Sequence, residues 1–107
     1  MEIIKETRGL FAFAPGKMRK INLFETDRMF CDVYCFEPGQ EQGAHAHAGS
    51  DKVYYVIEGT GHFRVDDVER DLGAGHAVFA PAGSSHAVSN PGPDRLALLV
   101  FMAPKPS

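Results

Sequence analysis

Several things are scarce in this chain, and each scarcity excludes a class of protein. Helix-period apolar segments of useful length are missing, while 11 Gly and 7 Pro punctuate the 107 residues throughout. Parallel α/β folds need crossover helices, and no stretch offers them room. Cysteine is limited to Cys31 and Cys35, too few for a disulfide scaffold. Both lie in a run that reads as a strand, where four residues span roughly 13 Å, well past the ~7 Å Cα limit for a disulfide. They are expected to be reduced packing residues, and the neighbouring Asp32 would raise rather than lower a thiol pKa. The formal net charge is -3 and basic runs are lacking, which argues against nucleic acid as a partner. No apolar stretch approaches the ~20 residues of a membrane span. Met1 to Phe13 lacks the basic region, apolar core and small-residue cleavage site of a secretion signal, so a cytoplasmic protein is expected.

What is present points to an all-β chain. A length of 107 residues fits one domain over residues 1–107. A domain of that size buries about two-thirds of its unfolded surface, enough to fold alone with a thin margin. Short apolar or alternating runs recur at Ile21–Phe24, Met29–Phe36, Val53–Ile57, Phe63–Val65, Ala77–Ala80 and Leu96–Met102. Turn formers separate them, among them Pro38-Gly39, Gly59-Thr60-Gly61, Gly73-Ala74-Gly75, Pro81-Ala82-Gly83 and Asn90-Pro91-Gly92-Pro93. Such spacing predicts a β-sandwich or barrel. One short helix is expected near Lys17–Lys20. Leu96–Met102 is apolar at every position, so both of its faces need cover. A partner subunit in a homodimer is the economical cover for the outer face; the alternative is that Phe11 and Phe13 fold back over it.

Five histidines stand at positions 45, 47, 62, 76 and 86. A two-residue spacing on a strand puts His45 and His47 on one face, about 6.7 Å apart along the chain. Two imidazoles so placed can converge on one metal at ~2.0–2.1 Å each. His86, just after the Pro81-Ala82-Gly83 turn, is the best-placed third ligand. His62 is expected to face outward with Arg64, and His76 to sit in a surface turn.

Two longer patterns enclose these residues. Gly39, His45, His47, Lys52 and Gly59 follow the spacing of the first cupin motif. Gly75, Pro81, Gly83, His86 and Asn90 match the second at every position. The chain therefore resembles a small single-domain cupin of the conserved-barrel type, with motif 1 at about 39–59 and motif 2 at about 75–90. The resemblance implies a double-stranded β-helix, or jelly-roll barrel. It also implies a metal held by three His and one Glu. The His positions carry over to His45, His47 and His86; the Glu position falls on Lys52. Asp51 would rescue a carboxylate only by breaking the motif count, and strand parity turns it outward if Lys52, Tyr54 and Val56 face in.

A protonated Lys about 5 Å from a divalent cation repels it by roughly 7 kcal/mol at an effective dielectric of ~20. Structural Zn²⁺ binding yields about 10–16 kcal/mol in small peptides, so the repulsion is severe but need not abolish binding. Lys52 then has three options. It can carry its charge to the barrel mouth, lose its proton, or pair with an anionic ligand in a metal-free pocket. The expected cofactor is one divalent transition metal, with Zn, Fe, Ni, Cu and Mn not distinguished, or none if the histidines are relics. Two functions fit. One is a metal-dependent oxygenase, isomerase or lyase acting on a small anionic metabolite. The other is a non-catalytic binding module for an anion or sugar, with Lys52 and Tyr54 lining the ligand site.

Overall fold

The computed structural model describes residues 2–106. Its regular elements are β-strands, apart from one 3-10 turn at Arg8–Leu10. In chain order the strands are β1 (Arg19–Glu25), β2 (Phe30–Phe36), β3 (Glu41–His45), β4 (Asp51–Glu58) and β5 (Thr60–Val65), then β6 (Val68–Gly73), β7 (Ala77–Ala80), β8 (His86–Ser89) and β9 (Leu96–Ala103). They form two antiparallel sheets, ordered β1-β2-β9-β4-β7 and β3-β8-β5-β6. This is the expected jelly roll. No helix among the described residues is long and apolar enough to cross a membrane.

Period-two burial explains why the sheets face each other. Along β4, Lys52, Tyr54 and Val56 are buried, while Asp51 and Tyr55 are exposed. Along β9, Leu96, Leu98, Val100 and Met102 face the same interior. With Tyr34 and Phe36 from β2, and Phe63 and Val88 from the other sheet, these residues form the inter-sheet core. A second cluster lies on the outer side of the larger sheet. There Phe11 and Phe13 pack with Leu23, Val33, Cys35 and Leu99. The N-terminal segment thus covers much of the outer face of β9, the alternative considered for that all-apolar strand. Cover stops short of Tyr55, Phe79 and Phe101, which remain 42%, 56% and 39% exposed.

Three strands escaped the sequence pattern. β3, β6 and β8 carry polar and small residues in place of an apolar run, and register with their neighbours defines them. The expected helix at Lys17–Lys20 does not form. Gly16 adopts φ 94° and Arg19 already pairs with Cys35, so the chain turns directly into β1. Both cysteines are free, as expected. Burial, with the Asp32 charge beside it, pushes the Cys31 thiol pKa up.

The motif glycines serve the turns. Gly59 has φ 86°, and a Cβ there would stand 2.2 Å from the Arg95 carbonyl oxygen. Gly75 has φ 92° but open space around it. Gly59→Ala is therefore expected to cost about 2–4 kcal/mol, combining dihedral strain with a backbone clash. Gly75→Ala should cost only about 1–2 kcal/mol. Thermal melts of the two variants check this; equal losses would remove the clash from the argument.

Candidate metal and ligand site

The site is assembled at one end of the interior by β3, β8 and β4. β3 and β8 pair so that His45 stands directly opposite His86, and a bulge between Gln42 and His45 shifts the register. The extra residue lets Gln42 and His45 share the interior face despite their odd spacing. His47 lies beyond the end of β3, so the expected strand placement holds for His45 only. Its backbone is tied down instead: the Gly83 N–H donates to the His47 carbonyl at 2.8 Å. The Pro81–Gly83 turn that positions His86 is held on its other side by Asp51, whose Oδ1 accepts from the Ala82 N–H at 2.9 Å. Asp51 thus points away from the histidines and supports the turn. Asn90, the last motif position, is buried and donates through Nδ2 to the Phe36 and Asp94 carbonyls.

The three imidazoles converge. Their ring centroids are 4.2 Å apart for His45–His86, 5.0 Å for His45–His47 and 5.7 Å for His47–His86. One potential ligand atom from each lies within 4.8 Å of the others. Two tautomers are fixed locally. His45 Nδ1 donates to the Gly43 carbonyl at 2.8 Å, and His86 Nδ1 to the Ser84 carbonyl at 3.1 Å. A carbonyl accepts only, so the proton sits on Nδ1 and each Nε2 keeps its lone pair. His86 Nε2 is buried without any hydrogen-bond partner. A buried acceptor left open in this way is costly unless something binds it, and it fits a metal-ligating nitrogen. Burial is the main reason all three pKa values are lowered, that of His86 to about 4. The trio is therefore neutral at pH 7, the form that ligates metal.

Lys52 does not reach the barrel mouth. It is only 1% exposed, and its Nζ donates to Gln42 Oε1 at 3.3 Å and to the lone pair of His45 Nε2 at 3.4 Å. It also stands 4.9 Å from the Tyr54 ring centroid and 5.3 Å from that of Tyr34. Desolvation, then the Lys20 charge, lowers its pKa to about 8. Tyr54 is buried, packs 6.2 Å from the His86 ring, and has an unpartnered hydroxyl. Burial raises the pKa of both tyrosines, that of Tyr34 to about 12, so each hydroxyl keeps its proton. His47 opens onto a cleft of about 470 Å³ that it shares with Ala46, Gly49, Ser50 and Pro104. Another cleft, of about 530 Å³ between the N-terminal arm and β1, contains none of the histidines.

His62 and His76 lie outside the trio. His62 faces outward as expected, with Nδ1 2.6 Å from Asp71 and Nε2 2.9 Å from Glu69; those hydrogen bonds raise its pKa. His76 is exposed in its turn, with Nδ1 donating to the Gly73 carbonyl. Sequence reasoning missed Gln42 and Tyr34 as neighbours of Lys52. Tyr34 was legible in principle, because it alternates with Phe36 on an inward face. Gln42 was not, because its orientation depends on the bulge.

Known proteins agree with this architecture. The Cupin domain family model matches residues 32–102, a span that includes every histidine of the trio. An oxalate-binding protein of Thermotoga maritima is 34% identical over 65 residues, covering 61% of this chain and 54% of that protein. The tetracenomycin polyketide synthase protein TcmJ of Streptomyces glaucescens is 36% identical over 72 residues, covering 64% and 48%. The chain thus spans about half the length of these curated relatives. Among solved structures, the Thermus thermophilus protein TT1209 superposes with a TM-score of 0.93 at 47% identity, covering 96% of this chain and 98% of that one. With both motifs in place on a two-sheet jelly roll, the chain belongs to the cupin domain family.

Proposed function

We propose that this cupin binds one divalent transition metal through His45, His47 and His86 and holds a small anionic metabolite beside it, against Lys52 and Tyr54. The observation that carries this reading is the buried, unpartnered His86 Nε2, set among neutral imidazoles next to a buried cation. When bound, the metal supplies a Lewis acid that polarises a carboxylate or enol oxygen. The chain's own groups do the rest. Lys52 offers a charge-assisted donor to the anion, and the Tyr54 hydroxyl offers a neutral one. The apolar wall of Tyr34, Tyr54 and Phe63 excludes water. The reaction classes open to such a site are oxygenation, isomerisation and lysis.

A second reading is a binding module without chemistry. The Lys52 bond to His45 Nε2 favours it, because that lone pair is already engaged. The Thermotoga maritima relative, an oxalate-binding protein by name, is compatible with a small carboxylate as ligand under either reading.

Metal and the Lys52 proton compete for the same small space. The folded-state pKa of Lys52 is lowered to about 8, and the histidines are already neutral at pH 7. Zinc affinity should therefore rise with pH up to about 8, by as much as ~10-fold per unit, and then level off. Lys52→Met should raise affinity at pH 7 by at least ~10-fold and flatten the profile. Competition titration against a chelator at pH 6.5 to 8.5 checks both. Identical profiles would show that Lys52 does not oppose the metal. Less than about a tenth of an equivalent bound after soaking would end the metal reading.

Pairing with a second copy belongs to the same proposal. Tyr55, Phe79 and Phe101 adjoin one another across β9, β4 and β7, since Val53 pairs with both Phe101 and Phe79. Ile3 and Ile4, in the N-terminal arm, are each 82% exposed. Each chain thus offers both an uncovered apolar face and an apolar arm, a self-complementary set that a two-fold dimer buries. Sedimentation velocity should show a dimer at micromolar concentration, and a folded monomer for the Phe79→Lys/Phe101→Lys variant. A monomeric wild type would refute the pairing.

A further inference from the structure

β1 and β3 are edge strands, one from each sheet. A cleft of about 460 Å³ lies between them, lined by Lys17, Met18, Arg19, Lys20, Glu41 and Gln42. Gln42 connects this cleft to the site, because its Oε1 accepts from Lys52. Tyr34 connects it a second time: Lys20 Nζ and Lys52 Nζ each stand 5.3 Å from the centroid of the same Tyr34 ring. The two ammonium groups are thus at most about 11 Å apart, twice that ring distance. The Lys20 charge is felt at Lys52, His45 and His47.

The cations here outnumber the anions. Lys17, Arg19 and Lys20 are all exposed, and none is ion-paired among the described residues. Their nearby counter-charges are Glu41 on the rim and Asp32 on the interior face of β2. Asp32 is partly satisfied by Asn22, whose Nδ2 donates to Oδ1 at 2.8 Å. A single bound carboxylate beside the histidines would occupy Lys52 and leave Lys20 with only the charge of Asp32, which Asn22 and Lys52 share.

We propose that the ligand is a dianion, a small dicarboxylate that reaches in through the seam between β1 and β3. One carboxylate stands beside Lys52 and the histidines, and the second is held by Lys20. This rests on the anion-binding reading above and narrows its substrate class. Length follows from the spacing. Two charge-assisted contacts of about 2.8 Å each leave at most about 5 Å between the carboxylate oxygens, so a four-carbon chain is about the longest that bridges the pair when extended. Lys20 is accordingly the residue that sets specificity for the second charge.

Isothermal titration with succinate, butyrate and oxalate tests this, on the metal-free and the zinc-loaded chain. Wild type should bind succinate at least tenfold more tightly than butyrate, its four-carbon monoanion counterpart. Lys20→Met keeps an unbranched side chain over Tyr34. It should bring the succinate-to-butyrate ratio to within twofold of unity. Lys52→Met should weaken both ligands, and raising sodium chloride from 50 to 300 mM should shrink the wild-type preference. Wild-type and variant melting temperatures establish that each chain is folded. An unchanged ratio in Lys20→Met overturns the dianion assignment while leaving the anion site intact. No binding of any of the three acids to wild type in either form would overturn the anion site itself.

Discussion

The pleat of β4 turns Lys52, Tyr54 and Val56 into the barrel and leaves Asp51 and Tyr55 on its outer side. The chemistry of the site follows from that alternation. A one-residue shift would bring a carboxylate to the histidines and send the lysine to water, but it would also turn Tyr54 and Val56 out of the core. The inter-sheet packing of Tyr54, Val56, Leu98 and Val100 therefore fixes which ionisable group the imidazoles meet. Asp51, held outside, takes a structural task at the Pro81–Gly83 turn instead.

Burying Lys52 is expensive. A folded-state pKa of about 8 against an ordinary 10.5 corresponds to about 3 kcal/mol of stability. Because the folded chain holds this proton less tightly than the unfolded one, the cost is full below pH 8. It fades as pH rises from about 8 toward 10.5. Gln42, the His45 lone pair and the faces of Tyr34 and Tyr54 offset part of it. None of these carries a negative charge; the anion that bears on Lys52 is Asp32, whose charge raises the Lys52 pKa and is shared with Lys20 and Asn22. An anion entering the site supplies what they lack, and this unites the reading of the site with that of the basic seam beside it.

The rest of the fold supports this small volume. Tyr34 belongs to the inter-sheet core and also touches two lysines. Asn90 ties the end of the second motif to the Phe36 carbonyl, and the Gly39 N–H donates to the Asn90 carbonyl, joining the second motif to the start of the first. Phe11 and Phe13 seal the far side of β2 and β9, packing on the face opposite Tyr34. The site is thus held by covalently distant segments whose contacts are mostly long-range.

The sequence alone determined the jelly roll, the histidine trio and the inward lysine. Motif spacing, turn residues and period-two alternation are local properties, and each was written in consecutive positions. His62 facing outward, both cysteines reduced and Asp51 pointing away were legible for the same reason. Tertiary structure alone decided the remainder. β3, β6 and β8 lack an apolar run and exist through pairing; Gln42 reaches Lys52 through a bulge defined only against β8. His47 is positioned by a turn 36 residues further on, through the Gly83 N–H. Lys20 meets Tyr34 because β1 pairs with β2. Whether Lys52 would extend to water or stay buried was likewise open in the sequence, since a long flexible stem permits both. The walls provided by Tyr34, Tyr54 and Gln42 settled it, and those walls come from three different strands.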